Sequence, residues 1–303
     1  MEALHALPRP AAGQEAINRT GWRQKLRHYR QHPGSFLLLI LTVLSALATI
    51  GVLFALIAYI LIRGIPCLTP DLFAWEYTTE NVSMMPALIN TVLVVVLTLA
   101  IALPVGLGAA IYLTEYAKRG NRLVRIIRIT AETLSGIPSI VYGLFGFLFF
   151  NIALKWGYTI LGGALTLAIM VLPLIMRTAE EALLAVPDSY REGSFGLGAG
   201  RLRTVFRIVL PAAVPGILSG VILAIGRIVG ETAALLYPAG TAPVVPESLL
   251  NSGRTLAVHM YALLNEGLYM EQAYATAVVL LVLVVGINAL SGLLARKLSA
   301  KEK

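Results

Sequence analysis

The sequence predicts an all-α integral membrane protein with six transmembrane helices. Hydrophobic residues make up 57% of the 303 residues and charged residues only 13%, about half the charged fraction of a soluble globular protein. The mean hydropathy of +0.79 is too high for a water-soluble core of this size. Apolar runs long enough to cross a bilayer explain it instead, so we expect one helical bundle preceded by a short tail.

The first 34 residues are basic, with six arginines and lysines, and we predict that they form a cytoplasmic N-terminal tail. The apolar run that follows, about 35–62, is too long for a signal-peptide core of roughly 7–15 residues. We therefore expect an uncleaved first span. The predicted transmembrane domain is 35–303.

Five further apolar runs are each long enough to cross about 30 Å of hydrocarbon as a helix. They lie near 86–114, 127–154, 158–177, 208–237 and 271–295. The runs 127–154 and 208–237 contain glycine, proline and a charged residue, which weakens the prediction of a span there. Gly216 and Gly220 stand four residues apart in the run 208–237, a spacing that lets helix backbones approach closely.

The distribution of basic residues predicts the orientation of the spans. With the N-terminus inside, the N-terminal tail, 115–128, 177–207 and the C-terminal tail hold all but four of the 24 lysines and arginines. This is the pattern of the positive-inside rule, and it places both termini in the cytoplasm. This distribution also argues against nucleic-acid binding, because the basic residues are spread over four short segments. The larger outside loop, 238–270, is either part of a docking surface or a plain connection.

Cysteine and histidine usage argues against metal sites and hydrolytic chemistry. The single cysteine, Cys67, excludes an intramolecular disulfide framework, and a small apolar role near a helix end is favoured over a reactive thiol. Three of the four histidines lie in the N-terminal tail without metal-ligand spacing, and His259 has no obvious catalytic partner. We expect no metal, no bound cofactor and no enzymatic reaction in this chain.

The cytoplasmic segment 177–211 carries the most specific signal. Its apolar residues recur at helical spacing and a glycine-rich stretch at 196–200 interrupts it, which predicts two short helices joined by a glycine turn. Such a pair suits docking into a groove on a partner protein; the alternative is an amphipathic surface helix that rests on lipid headgroups. The glycines do not form a nucleotide loop, because no strand precedes them and no Lys-Ser/Thr follows.

This segment resembles the coupling loop of the permease subunits of ABC importers, whose form is Glu-Ala-Ala, three residues, Gly, nine residues, Ile-x-Leu-Pro. The matching residues, with two small residues in place of the alanines, are Glu192, Gly193, Ser194, Gly198, Ile208, Leu210 and Pro211. The resemblance implies a type I ABC importer permease-like bundle, with a core of about 86–295. It also implies that 177–211 inserts into a cleft of a separate ATPase subunit.

A narrower resemblance covers most of the chain. The stretches GIPSIVYGL at 136–144 and RIVGETA at 227–233 are similar to the phosphate-specific permeases, and to the PstA-type subunit rather than the PstC-type subunit. This implies a permease subunit of an ATP-driven phosphate importer in the bacterial inner membrane. The implied partners are a PstC-type permease in a heterodimer, two PstB-type ATPases that use ATP and Mg²⁺, a PstS-type phosphate-binding protein and membrane lipid. The alternatives are a permease for sulfate or molybdate, an embedded enzyme and an independent channel.

Charged residues within the spans are the candidates for a substrate path. A charge at the bilayer centre costs about 2.5–3.5 kcal/mol on insertion scales, so it should face the bundle interior with a partner. The candidates are Arg227, Glu231, Arg177 and Glu180. Arg227 and Glu231 are four residues apart, which predicts one shared helical face. The arginine fork suits a phosphate oxygen pair, and Glu231 would hold the guanidinium when no anion is bound.

Structural roles compete with these assignments. Arg227 and Glu231 form a purely structural ion pair in the first alternative. Arg177 is an ordinary cytoplasmic anchor in the second. For Glu132 we favour an ion pair with a nearby basic residue such as Arg128, four positions earlier.

Overall fold

The structure is a computed structural model that describes residues 33–118 and 120–299. The predicted basic tail, 1–34, lies outside the described residues except for its last two positions. Regular structure in the described part is entirely helical. The helices are α1 (Pro33–Gly64), α2 (Met85–Ile111), α3 (Arg122–Ser135), α4 (Ser139–Gly146), α5 (Ile160–Leu184), α6 (Asp188–Gly196), α7 (Arg201–Thr204), α8 (Leu210–Val229), α9 (Ala233–Leu236), α10 (Leu256–Glu266) and α11 (Met270–Ser299).

Shorter helical turns extend or link these helices. Three π-helical turns follow α2, α4 and α7 at Tyr112–Tyr116, Phe147–Ala153 and Val205–Val209, and two 3₁₀ helices lie at Ile65–Cys67 and Pro70–Phe73. Of the described residues, 33–59, which include most of α1, belong to one unit, and the bundle described below belongs to a second unit, which begins at Ile60.

The described residues contain five single helical segments that are long and apolar enough to cross a membrane. They are Gly34–Cys67, Met85–Tyr116, Ile160–Leu184, Arg201–Val229 and Met270–Leu290, and the pair Arg122–Ser135 and Ser139–Ala153 gives a sixth if it is counted as one span. The predicted all-α, six-span class is therefore confirmed.

The third span differs from the single helix predicted over 127–154. The chain bends by 101° between α3 and α4. Pro138 cannot donate a backbone hydrogen bond, and it disfavours helical backbone at Ile137. The helix α3 is also amphipathic rather than uniformly apolar, with arginines at 122, 125 and 128. The proline and the polarity of α3 together explain a broken span.

The helix α5 forms the centre of the bundle. Two thirds of its most apolar stretch is buried, and Leu167, Val171 and Ile175 belong to one buried cluster with residues of α2 and α8. The glycine spacing predicted the approach of α8: a Cβ at Gly216 would lie 2.7 Å from Ala182 Cβ, and one at Gly220 would collide with Thr178. Small residues thus set the distance between α8 and α5.

The loop between α9 and α10 is fastened into the bundle by hydrogen bonds. The Asn90 side-chain amide donates to the carbonyl oxygens of Val244 (2.9 Å) and Arg254 (3.2 Å). The backbone N–H of Ile160 donates to Asn251 O at 2.9 Å, and that of Leu161 to Leu249 O at 3.0 Å. The loop therefore satisfies N–H groups that the first turn of α5 leaves without helical partners.

Arg254 of this loop belongs to a buried polar cluster. Arg254 is only 4% exposed, and its guanidinium lies 4.9 Å from the ring centroid of Tyr77. The Tyr77 ring meets that of His259 edge-on, with centroids 6.3 Å apart. His259 is fully buried, and neither of its ring nitrogens has a hydrogen-bond partner among the described residues. Burial and, secondarily, the charge of Arg254 lower the pKa of His259 to about 3.

His259 therefore predicts acid sensitivity of the fold. In the unfolded chain the pKa of His259 is about 6.5, so the imidazole is protonated below that pH. In the folded chain it stays neutral until the pH approaches 3. The free energy of unfolding should fall by up to about 1.4 kcal/mol per pH unit from this residue alone. We expect His259→Leu to reduce the loss of thermal stability between pH 7.5 and 5.5. Equal losses in wild type and variant would contradict this assignment.

Candidate substrate path and coupling surface

Charged side chains from three helices meet at one cavity of about 410 Å³. The charged residues that line it are Arg128 and Glu132 from α3, Arg177, Glu180 and Glu181 from α5, and Arg227 from α8. The cavity lies beside the break between α3 and α4, and Pro173 of α5 contributes to its wall. The bent third span thus brings α3 charges to the same place as those of α5 and α8.

Most of these charges are paired with one another. Arg128 forms an ion pair with Glu180, which is 8% exposed. Arg177 has longer contacts, 4.0 Å to Glu132 and 3.7 Å to Glu181. The expected pairing of Glu132 with Arg128 is wrong, because the more deeply buried carboxylate of Glu180 takes that guanidinium. A buried carboxylate gains most from a close cation.

Arg227 is the exception at this cavity. It is exposed, and no carboxylate oxygen of a described residue lies within 4.0 Å of its guanidinium. It also lines a second cavity of about 390 Å³ together with Gly226 and Asn288. Its side chain therefore faces open space on two sides, and the N–H donors of its guanidinium are available to an anion.

The expectation that Arg227 and Glu231 share a helical face is wrong. The helix α8 ends at Val229, so the spacing of four no longer places both side chains on one face. The Glu231 carboxylate instead accepts a hydrogen bond of 3.0 Å from Ala234 N, satisfying an N–H at the start of the short helix α9. Glu231 is not among the residues that line the cavity.

The coupling loop consists of α6, a glycine turn and the beginning of the next long helix. Ser194 Oγ and Thr204 Oγ1 are 2.8 Å apart and buried, which ties α6 to α7. Gly198 has φ of +80°, a backbone conformation that favours glycine. Leu197 beside it is 91% exposed, so the turn presents an apolar side chain away from the bundle.

The second half of the loop is not the separate short helix that the sequence suggested. Helical structure runs from Arg201 to Val229, and Ile208, Leu210 and Pro211 lie inside it. Pro211 has no N–H to give to the preceding turn, and the π-helical turn Val205–Val209 directly before it takes up that irregularity. The coupling loop is therefore continuous with the span that carries Arg227.

An ion pair that sequence reasoning missed fastens α6 to the bundle. Arg191 contacts Glu115 at 2.8 Å, with side-chain exposures of 15% and 9%. Arg191 also donates to the carbonyl oxygens of Val186 (2.7 Å) and Leu183 (2.9 Å) at the end of α5. One signal was present in the sequence: Glu115 is the sole acidic residue in the basic segment 115–128. Within the described residues, no cluster of His, Cys, Asp and Glu is suited to a metal ion.

A family model for the inner membrane component of binding-protein-dependent transport systems matches residues 102–300. The chain belongs to this family. The permease is 36% identical over 245 residues to the probable ABC transporter permease protein YqgI of Bacillus subtilis, a match that covers 74% of this chain and 81% of that protein. It is 34% identical over 218 residues to the phosphate transport system permease protein PstA of Haemophilus influenzae, covering 71% and 77%. It is also 41% identical to PstA 1 of Mycobacterium tuberculosis over 154 residues, about half of each chain.

Solved structures show the same fold at low sequence identity. A bacterial alginate ABC transporter in complex with its alginate-bound periplasmic protein aligns over 89% of the permease and 98% of that chain, with a TM-score of 0.66 and 16% identity. The inward-facing MetNI methionine ABC transporter aligns over 79% and 96%, with a TM-score of 0.55 and 20% identity. These likenesses confirm the predicted type I ABC importer permease-like bundle.

Family membership settles the general role of the permease. It is a multi-pass membrane subunit of an ABC importer and works with a separate ATPase and a binding protein. It is not an enzyme, because ATP hydrolysis lies in the partner subunit.

The positive φ at Gly198 gives a test of the coupling turn with a matched control. A Cβ at Gly198 or Gly196 meets no atom within 4 Å, so alanine fits at either position without a steric clash. Gly198→Ala should cost roughly 1–2 kcal/mol because of its left-handed backbone, and should weaken copurification of the ATPase with a tagged permease. Gly196→Ala, in helical backbone, should leave it unchanged. Equal ATPase recovery with both variants would exclude a conformational role for the turn.

Proposed function

We propose that this permease forms the translocation path for inorganic phosphate in an ATP-driven importer. The observation that carries the proposal is the position of Arg227, which lacks a carboxylate partner among the described residues and faces a cavity lined by two further arginines. The relatives named phosphate transport system permease support phosphate as the substrate.

The chemistry of the cavity suits a multiply charged oxyanion that must be released again. Arg227 offers two parallel N–H donors to a pair of phosphate oxygens. Its positive charge is offset by the carboxylates across the cavity, which keeps anion binding weak. Arg177, held only by contacts of 3.7 Å and 4.0 Å, is free to exchange its carboxylates for the anion during transfer.

The remaining candidates have supporting roles in this proposal. Glu180, which is buried, pairs with the more exposed Arg128 and fixes α3 against α5. Glu231 fixes the start of α9 through Ala234 and so maintains the helix break next to Arg227. Breaks beside a midplane charge are a recurrent way in which transporters build substrate paths.

The proposed assembly follows from the PstA-like sequence. It contains a PstC-type permease as the second half of the pore, two PstB-type ATPases that bind ATP and Mg²⁺, and a PstS-type phosphate-binding protein. The permease itself binds no cofactor. It lies in the bacterial inner membrane with both termini in the cytoplasm, so α6 faces the ATPase. The exposed residues Glu192 and Gly193 insert into the ATPase, and the buried Ser194 holds α6 through Thr204.

Substrate identity is tested by uptake into vesicles that contain the whole importer with its binding protein. We expect ATP-dependent accumulation of labelled phosphate that excess sulfate or molybdate does not reduce. Accumulation of sulfate or molybdate in place of phosphate would assign the permease to another oxyanion. Accumulation without ATP would instead indicate an independent channel.

Arg227→Lys tests the fork geometry at constant charge. Lysine keeps the positive charge but loses the bidentate contact, so phosphate uptake should fall at least about tenfold, the equivalent of one good charged hydrogen bond. The matched control is Arg128→Lys at the same cavity, because lysine can still pair with Glu180; uptake should stay within about twofold. Wild-type uptake by Arg227→Lys at equal membrane abundance would remove Arg227 from the substrate path.

A further inference from the structure

A concavity larger than either of the two cavities beside Arg227 lies at the end of the bundle that carries the coupling loop. It has a volume of about 1050 Å³ and opens between α3, the turn Tyr112–Tyr116 and the coupling helix α6. The buried pair Arg191–Glu115 forms part of its lining. We call this concavity the α3 groove.

The α3 groove carries an excess of unpaired positive charge. Its lining includes Lys118, Arg122, Arg125 and Arg201, and none of these four has a carboxylate oxygen within 4.0 Å among the described residues. Arg201 has a cation–π contact, 5.9 Å from the ring centroid of Tyr116. The nearby acidic groups, by contrast, are already engaged with Arg191 or Arg177. The groove therefore has unused capacity for an anion.

The adjacent face of α3 is apolar and uncovered. Leu123, Ile126 and Ile129 are each more than half exposed, and they alternate in sequence with the arginines at 122, 125 and 128. A helix with one apolar face and one arginine-rich face matches the boundary between acyl chains and headgroups. Because the chain spans the membrane, α3 has both acyl chains and lipid headgroups within reach.

We infer that the α3 groove binds the headgroup of an anionic phospholipid. The phosphate contacts Arg122 and Arg125, and the acyl chains lie along Leu123, Ile126 and Ile129. Basic pockets between helices on the cytoplasmic side are suited to anionic headgroups. The assignment of the groove to the cytoplasmic leaflet rests on the orientation in the proposed function; the binding chemistry does not.

The position of the lipid links it to coupling. Arg191 and Phe195 of α6 also line the groove, so a bound headgroup lies against the helix that is proposed to receive the ATPase. An occupied groove restrains α6 relative to α3. We expect transport, and not only stability, to depend on anionic lipid.

The test uses the complete importer reconstituted in phosphatidylcholine vesicles with or without phosphatidylglycerol. Wild type should retain phosphatidylglycerol through purification, as measured by native mass spectrometry, and should transport faster in vesicles that contain it. Arg122→Gln with Arg125→Gln should weaken retention by about fivefold for each arginine removed and abolish the gain in rate. The charge-conserving control, Arg122→Lys with Arg125→Lys, should keep most of both. Lys155→Gln, outside the groove lining, should change neither.

Three outcomes would contradict the proposal. Equal phosphatidylglycerol retention by wild type and the double glutamine variant would show that the two arginines do not hold the lipid. Displacement of the lipid by millimolar inorganic phosphate overturns it in favour of a phosphate site. Cross-links from positions 122 and 125 to the second permease or the ATPase, with no retained lipid, assign the groove to a protein contact. Lipid retention is measured without any transport substrate, so failure of the phosphate proposal leaves this result unaffected.

Discussion

The rest of the permease depends on the close packing of α5 at the centre of the bundle. Leu167, Val171 and Ile175 are almost fully buried in it, and Gly216 on α8 and Gly106 on α2 allow the neighbouring backbones to approach. Helix association in a bilayer gains little from the hydrophobic effect, because lipid is as apolar as the side chains, so close contact between backbones has to supply the stability. This packing also fixes where every charged side chain of α5 points.

The same helix connects the charged cavity with the candidate coupling loop. It carries Arg177 and Glu180 at the cavity, and it ends at Leu184, four residues before α6 begins. Arg191 then donates to the carbonyl oxygen of Leu183 in the last turn of α5, to that of Val186 just beyond it, and to the carboxylate of Glu115. These contacts connect α6 directly to the end of α5 and to the turn that follows α2.

Helix breaks position the remaining charges around this rigid centre. The bend at Gly136–Pro138 carries Arg128 and Glu132 to the cavity from one side, and the end of α8 at Val229 leaves Arg227 in its last turn on another. Backbone hydrogen bonds persist at both breaks: Ile137 N donates to Leu134 O at 3.1 Å, and Glu231 N donates to Ile228 O at 3.2 Å. Part of the backbone freed by each break therefore stays paired, as a membrane environment requires. The charged cavity thus arises from interrupted helices around an uninterrupted one.

The sequence alone determined the helical membrane class, the number of spans and the glycine turn at Gly198, because hydropathy and backbone preference are local properties. It did not determine which carboxylate each arginine contacts. Spacing along a helix suggested Arg128–Glu132 and Arg227–Glu231, whereas the folded chain pairs Arg128 with Glu180 and leaves Glu231 to α9. Which carboxylate comes within reach of each arginine is set by how α3, α5 and α8 pack, and only the tertiary structure decides that packing.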